Sequence, residues 1–248
     1  MDYSAPVLRA QNVAKSFKGV AAVKSFDLVL NGGDRVGLLG PNGAGKTTTL
    51  LMILGAIKPD AGTIELAGHR LPHGRSPAME EVGFVAGYLP LPENLTVREA
   101  LTLFAGLAGI TRPKPIVATA IAAFGLEELA EKRNQELSSG QRTLVSITKA
   151  TLHQPRLLIL DEPTASLDPD IAARVRTALL DLHSRHGTAL LVTSHNMREV
   201  ERLCERVILM SHGEIVANGT PSAIATQFDV EDLEGAFLAV AARGRGPQ

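Results

Sequence analysis

The sequence has little of several features that would assign it to a specialised class of protein. It contains one cysteine, no tryptophan and only 4% aromatic residues in a chain of 248. A single cysteine excludes both a disulfide framework and a zinc site built from cysteines. Cys204 lies in a run typical of a helix, residues 197–207, where we expect a small buried side chain rather than a reactive thiol. The composition therefore leaves an ordinary globular domain.

Neither sign of charge is in excess, because the sequence has 25 basic and 26 acidic residues and a net charge of −1. Nucleic-acid binders usually carry a basic excess or stripe, so we expect no nucleic-acid partner. No apolar run approaches the roughly 18–20 residues that span a bilayer, and the first residues lack the basic and apolar regions of a signal peptide. We expect no direct membrane insertion, so that at a membrane another chain would hold this one.

The pattern of apolar residues predicts an α/β fold. Residues 7–30 alternate apolar and polar side chains, as antiparallel strands do. Apart from Arg156 and Thr193 at their ends, residues 156–160 and 189–193 are uninterrupted apolar runs, which are typical of strands in a buried parallel sheet. We therefore expect a mostly parallel sheet with an antiparallel region at its N-terminal side.

Several helices are predicted between and after these strands. They lie at residues 97–107, 117–124, 127–133, 140–152, 169–186, 197–207 and 232–241, with Pro113 and Pro115 in a loop. We expect an ATP-binding core with its antiparallel β-subdomain at residues 1–89 and 156–220, an inserted helical subdomain at 90–155, and a helical tail at 221–248.

A glycine-rich segment carries the first chemical signal. Residues 40–47 read Gly-Pro-Asn-Gly-Ala-Gly-Lys-Thr, match GxxxxGK[ST], and lie between a predicted strand and a predicted helix. Glycines let backbone amides approach phosphate oxygens, and the helix presents its positive end to the same anion. We expect Lys46 to bridge the β- and γ-phosphates and Thr47 to bind Mg²⁺. The residues predicted to hold the nucleotide are Gly40, Asn42, Gly43, Ala44, Gly45, Lys46, Thr47 and Thr48. This motif predicts a P-loop NTPase (RecA-like) core.

Two carboxylates follow a buried strand. Asp161 and Glu162 come directly after four apolar residues, so they should lie at the polar edge of the sheet beyond the strand. We expect Asp161 to hold the Mg²⁺ shell and Glu162 to accept a proton from the attacking water, a role that contributes about 10²–10⁴-fold in rate. A solvated turn would explain one acid there, but less readily both.

The segment Leu-Ser-Ser-Gly-Gln at residues 137–141 would by itself be interpreted as a helix cap. It occurs, however, in series with four other segments: residues 40–47, 157–163, Ala-Ser-Leu-Asp at 165–168, and Thr-Ser-His at 193–195. In this order and spacing the chain resembles the ABC ATPases over nearly its whole length. The phosphate loop and the carboxylates alone would indicate only an NTPase.

The resemblance implies a dimer with two composite ATP sites. Ser138, Gly140 and Gln141 of one subunit would contact the γ-phosphate held by the phosphate loop of the other. By the same resemblance His195 would contact the γ-phosphate within its own chain, and Asp168 would cross the dimer interface. A histidine at a strand end is often structural, and Asp168 is also placed to cap the helix that follows.

The sequence departs from the family at three positions. Ser139 replaces the usual glycine, and Phe17 stands where an aromatic residue, usually tyrosine, stacks on adenine. The glutamine that normally touches Mg²⁺ is absent, and alignment places Gly87 at its position. We expect backbone groups, water, Glu93 or Asn94 to supply the missing oxygen.

The resemblance implies ATP hydrolysis that drives a transmembrane partner. It predicts a homodimer that binds ATP and Mg²⁺, with a separate integral-membrane permease subunit holding it peripherally on the cytoplasmic face of the membrane. Residues 96–99 and 232–238 are similar to the exporter branch for drugs, polysaccharides or lipids. The alternatives are a soluble ABC ATPase that powers a non-transport assembly machine, and a small-molecule kinase, which would leave residues 137–141 unexplained.

Overall fold

The computed structural model describes residues 6–86, 91–165 and 167–243. The strands are β1 (Pro6–Phe17), β2 (Val20–Asn31), β3 (Arg35–Leu39), β4 (Ala61–Leu66), β5 (His69–Arg70), β6 (Val82–Ala86), β7 (Leu157–Asp161), β8 (Ala189–Thr193), β9 (Arg206–Ser211) and β10 (Glu214–Gly219). The helices are α1 (Lys46–Ile53), α2 (Arg75–Met79), α3 (Val97–Leu107), α4 (Pro113–Ala123), α5 (Ser139–Thr151), α6 (Pro169–His186), α7 (Met197–Leu203), α8 (Pro221–Gln227) and α9 (Leu233–Arg243).

The strands form one sheet in the order β5-β4-β1-β2-β10-β9-β3-β8-β7-β6. From β9 to β6 neighbouring strands run parallel, whereas β1 pairs antiparallel with β2 and β4, and β4 pairs antiparallel with β5. Strand β10 is antiparallel to β9 and meets β2 through one parallel pair. The predicted α/β fold, with a mostly parallel core and an N-terminal antiparallel region, is confirmed.

The central strands are buried as their sequences predict. Every residue of β8 is buried, and so are the first four residues of β7. Apolar residues on both faces are what a parallel sheet covered by helices requires. The polar side chains that follow these strands therefore lie at the carboxyl edge of the sheet, where the functional site is built.

Helices α3, α4 and α5 follow one another between β6 and β7. Helix α3 begins with a capping box, in which Thr96 Oγ1 accepts from the amide of Glu99 and the Glu99 carboxylate accepts from the amide of Thr96. Its buried residue Leu101 belongs to the same hydrophobic cluster as Leu144 of α5 and Leu160 of β7. This continuous cluster attaches the helices to the edge of the sheet.

Two of the predicted helices differ from the structure, one at its start and one in its existence. Helix α4 begins at Pro113, so Pro113 and Pro115 lie in its first turn rather than in a loop. Proline suits that turn because its missing amide hydrogen would have no partner there. The helix predicted at residues 127–133 is wrong, since only a 3₁₀ turn forms at Glu127–Leu129. Arg133 is extended and pairs with Thr96 in a β-bridge, so the end of this segment cannot continue as a helix.

Helix α7 is shorter than predicted. It ends at Leu203, because Cys204 adopts an extended conformation and β9 begins two residues later. Cys204 is buried, and burial raises the pKa of its thiol to about 12. A thiol that stays protonated at neutral pH agrees with the small buried side chain expected from the sequence.

None of the helices within residues 6–86, 91–165 and 167–243 combines the length and the apolar character that a membrane span requires.

Candidate nucleotide site

The phosphate loop is held by close backbone contacts. Gly40 and Gly45 have φ angles of 152° and 103°. A Cβ atom on Gly40 would lie 2.3 Å from the carbonyl oxygen of Met210, and one on Gly45 would lie 2.5 Å from that of Ala22. The loop therefore needs glycine at both positions, for conformation and for space.

Helix α1 directs free amides at this loop. Gly45 is its N-cap residue, and the amide of Thr49 is the first to reach a carbonyl four residues back, that of Gly45 at 2.9 Å. The amides of Lys46, Thr47 and Thr48 come before this first helical bond and point out of the helix. A helix N-terminus of this kind binds phosphate, as predicted for the motif.

The ammonium group of Lys46 lies over the loop. Its Nζ donates to the carbonyl oxygens of Gly40 at 2.6 Å and Pro41 at 3.1 Å. Burial lowers the pKa of Lys46, and the charges of Glu162 and Asp161 act in the opposite direction. The structure thus brings the lysine of the phosphate loop within electrostatic reach of both predicted carboxylates.

Thr193 of the neighbouring strand contacts the carboxylate of Asp161 and the backbone of Glu162. Asp161 ends β7 and is paired in register with Thr193 of β8. The Thr193 hydroxyl donates to Asp161 Oδ1 at 2.6 Å. The amide of Glu162 lies 3.1 Å from the Thr193 carbonyl oxygen and 3.2 Å from its Oγ1. Glu162 has a φ of 54°, which is uncommon for a residue other than glycine.

His195 holds the side chain of Glu162 through two contacts. The backbone amide of His195 donates to Glu162 Oε2 at 3.1 Å, and its Nε2 lies 3.1 Å from Oε1. The His195 side chain is 54% exposed and that of Glu162 25%. The pair is therefore ordered but open to solvent, as a base that must reach a water molecule requires.

Two clefts meet at His195. One, of about 660 Å³, is lined by Glu162, Ser194 and His195, and the other, of about 490 Å³, by residues 41–44 and His195. Phe237 and Leu238 of α9 line both clefts. The sequence predicts a helix at residues 232–241, which include Phe237 and Leu238. It does not predict that this helix lies beside the phosphate loop, because no motif relates α9 to residues 40–47.

Thr47 and Asp161 offer oxygen ligands suited to Mg²⁺. In the part of the chain that the structure describes, no group of three or more His, Cys, Asp or Glu side chains is placed to hold a metal ion. Mg²⁺ in nucleotide sites typically takes one or two protein ligands and completes its shell with phosphates and waters. One exposed hydroxyl and one carboxylate at the sheet edge fit that mode of binding.

The residues predicted to act on a second subunit lie at the start of α5. Ser138 is exposed and is the N-cap, with its Oγ accepting from the amide of Gln141 and its amide donating to Gln141 Oε1. Gly140 is buried, and a Cβ there would lie 3.2 Å from Ile171 of α6. Ser138 thus caps its own helix, and the exposed end of that helix faces outward.

Asp168 and Phe17 are both available for contacts outside their own elements. Asp168 is exposed at the N-cap position of α6, yet its side chain makes no capping hydrogen bond. Phe17 ends β1 with 48% of its surface exposed, and Lys15 Nζ lies 5.5 Å from its ring centroid.

Gly87 lies outside the described residues, so the structure leaves the prediction about the missing glutamine open. Glu93 and Asn94 are exposed.

Comparison with known proteins agrees with this geometry. A family profile described as "ABC transporter" matches residues 23–165. The Nod factor export ATP-binding protein I of Burkholderia orbicola is 38% identical over 216 residues, which cover 86% of this chain and 71% of that protein. The lipopolysaccharide export system ATP-binding protein LptB of Haemophilus influenzae is 34% identical over 232 residues, covering 91% and 95%. A solved ATP-binding subunit of an ABC transporter superposes with a TM-score of 0.85 at 26% identity, covering 95% of this chain and 99% of that structure.

Proposed function

The chain belongs to the ABC transporter family as an ATP-binding subunit with ATPase activity, and from that premise we propose that two copies close around two ATP molecules to drive a membrane-embedded export partner. The observation that carries this proposal is the Glu162 carboxylate, held by His195 at the sheet edge and within electrostatic reach of the phosphate-loop lysine.

Within one chain, the phosphates lie on the free amides of α1 and beside the ammonium group of Lys46. Thr47 and Asp161 would hold Mg²⁺, which when bound would offset charge on the phosphates. Glu162 accepts the proton of the attacking water, and His195 keeps the carboxylate aimed at that water and contacts the γ-phosphate. The exposed ring of Phe17 supplies a face for adenine.

The second half of each site comes from the other copy. The exposed N-terminus of α5 has free amides, and Ser138, Gly140 and Gln141 there meet the γ-phosphate held by the partner chain. Asp168, with a carboxylate that its own helix does not use, reaches across the interface. Both halves of the site are present in this one sequence, which favours a homodimer.

We assign the parts of the chain accordingly. Residues 1–89 and 156–220 form the ATP-binding core, residues 90–155 carry the start of α5 as a helical subdomain, and residues 221–248 form the tail. ATP stabilises the closed dimer, and hydrolysis with product release reopens it. The difference in affinity between the two states then does work on the partner.

Export is proposed from the relatives, two of which are named for the export of Nod factor and of lipopolysaccharide. The partner would be an integral-membrane permease on a separate chain, which holds this subunit at the cytoplasmic face. Purification in detergent tests this directly. A polytopic membrane protein that copurifies with the chain supports transport, whereas a soluble partner would support an assembly machine instead.

The proposed chemistry is tested by Glu162→Gln. The variant should bind ATP, lose about 10²–10⁴-fold in turnover because the base is gone, and accumulate as an ATP-dependent dimer in light scattering. Glu65→Gln, which changes an exposed carboxylate on β4, is the matched control and should behave as wild type. Wild-type turnover in Glu162→Gln would remove Glu162 from its role.

A further inference from the structure

We propose that Thr193 is a positioning residue of the ATPase reaction, whose one hydroxyl sets the geometry of both carboxylates. This inference rests on the proposed function, because it assigns Asp161 to the metal and Glu162 to the water. The hydroxyl lies 2.6 Å from Asp161 Oδ1 and 3.2 Å from the amide nitrogen of Glu162. It therefore touches two consecutive residues to which different tasks are assigned.

The hydrogen-bonding capacity of a threonine accounts for both contacts. A hydroxyl has one proton to donate and lone pairs to accept with. An ionised carboxylate only accepts and a backbone amide only donates, so Thr193 must donate to Asp161 and accept from Glu162. Thr193 is 1% exposed, which leaves little access for a water molecule to replace the hydroxyl.

The bond to Asp161 orients the carboxylate. Because Oδ1 receives the hydroxyl proton, the carboxylate is held against rotation and Oδ2 remains free to face a metal ion. Loss of a group that orients a metal ligand in this way typically costs about 10–100-fold in metal affinity or activity. The stiff χ1 rotamer of a β-branched residue adds to this fixation.

The bond to Glu162 acts on the backbone. Glu162 adopts a φ of 54°, and its amide is held by both the carbonyl and the hydroxyl of Thr193. Holding this left-handed conformation turns the Glu162 side chain out of the line of β7 and towards His195. Without the hydroxyl, one of these two restraints is lost.

Thr188 provides a matched control at the other end of the same strand. It directly precedes β8, is fully buried, and donates its hydroxyl to the carbonyl of Pro155 at 2.9 Å. Thr193→Val and Thr188→Val each remove one buried hydroxyl of equal size. Only the first removal affects the two carboxylates, so a general loss of packing or stability would appear in both variants.

The experiment measures the affinity for the non-hydrolysable analogue AMP-PNP by calorimetry, with Mg²⁺ and with EDTA, together with the kcat for ATP. In Thr193→Val we expect the affinity for AMP-PNP in EDTA to be unchanged. Most of the increase in affinity that Mg²⁺ causes in the wild type should be lost, and kcat should fall about 10–100-fold. Thr193→Ser keeps the hydroxyl and should restore both quantities, whereas Thr188→Val should keep both. Thr193→Ala replaces the valine variant if that one does not fold.

A folded Thr193→Val or Thr193→Ala variant that keeps the full Mg²⁺-dependent increase in affinity would overturn the proposal, and so would a Thr188→Val variant that loses this increase equally. Failure of the proposed function would be seen differently, as wild-type turnover in Glu162→Gln. The Mg²⁺-dependent affinity still tests the role of Thr193 in that case, because binding of AMP-PNP requires no hydrolysis.

Discussion

At the scale of single residues, the phosphate loop rests on contacts that leave no room for a side chain. Gly45 combines a φ of 103° with a position where a Cβ would lie 2.5 Å from the carbonyl oxygen of Ala22. Both constraints act on the residue that immediately precedes Lys46. Any substitution there has to displace the backbone of the loop or that of β2.

This leads to a prediction for Gly45→Ala, with Gly68→Ala as its control. Gly68 has a φ of 80° but open space around its Cβ position, so its alanine variant should lose only about 1–2 kcal/mol of stability, from backbone strain. Gly45→Ala should lose more, because the clash adds to the strain, and should bind ATP much more weakly. Denaturant unfolding and nucleotide titration check both. Equal losses in stability with normal ATP binding in Gly45→Ala would contradict the contact argument.

The residues to which we propose catalytic and metal-binding roles were open to prediction where a local motif defines them. Lys46, Asp161, Glu162 and His195 each stand in a short pattern next to a predicted strand end, and the structure brings them to one edge of the sheet. The bonds of Thr193 were not predictable in this way, because they depend on the register between β7 and β8. The Thr-Ser-His segment at residues 193–195 includes Thr193, but the sequence pattern indicates no role for this residue.

At the scale of elements, helices α6 and α7 are joined by a partly buried ion pair. Arg176 Nη1 lies 2.7 Å from both carboxylate oxygens of Glu199, and the two side chains are only 20% and 15% exposed. Helix α7 begins two residues after His195, so this pair connects the segment that follows the histidine to α6. Arg185 and Asp181 form a contrasting pair on α6, 3.8 Å apart and 70% and 60% exposed.

We predict that Arg176→Met destabilises the fold by about 1.5–3 kcal/mol, because the partly buried Glu199 carboxylate loses its hydrogen-bonded partner and keeps only the longer contact with Arg202 at 3.7 Å. Arg185→Met should cost less than about 1 kcal/mol, as exposed ion pairs do. Chemical denaturation of the two variants measures the difference in unfolding free energy. Equal effects in both variants would mean that the α6–α7 pair contributes no more than a surface contact.

The predicted elements show what sequence patterns can and cannot define. Helix α3, helix α6 and strand β8 have the predicted bounds, because caps or polar residues mark both ends of a periodic or apolar run. The error at residues 127–133 has a different origin. There the local pattern favours a helix, but the pairing of Arg133 with Thr96, far away in sequence, holds the chain extended.

At the scale of the whole molecule, the two halves of the proposed ATP site lie on different elements. The phosphate loop, the carboxylates and His195 lie at the carboxyl edge of the parallel strands. Ser138 and Gly140 lie at the start of α5, which packs against α3, α6 and β6. An arrangement that needs both halves at one phosphate is most simply met by two copies in opposite orientation, each supplying what the other uses.

Mixing two inactive chains tests this arrangement most directly. Lys46→Ala damages the phosphate loop and leaves Ser138 intact, whereas Ser138→Arg damages the start of α5 and leaves Lys46 intact. A mixed dimer would contain one site in which both halves are undamaged. As a matched control, Lys46→Ala is mixed with a chain that carries both changes, which restores no site.

Each variant alone should have negligible ATPase turnover, and we predict that mixing Lys46→Ala with Ser138→Arg recovers turnover while the control mixture does not. This result would show that the serine of one chain serves the phosphate loop of another. A mixture that forms mixed dimers in ATP and yet stays as inactive as its components would contradict the account.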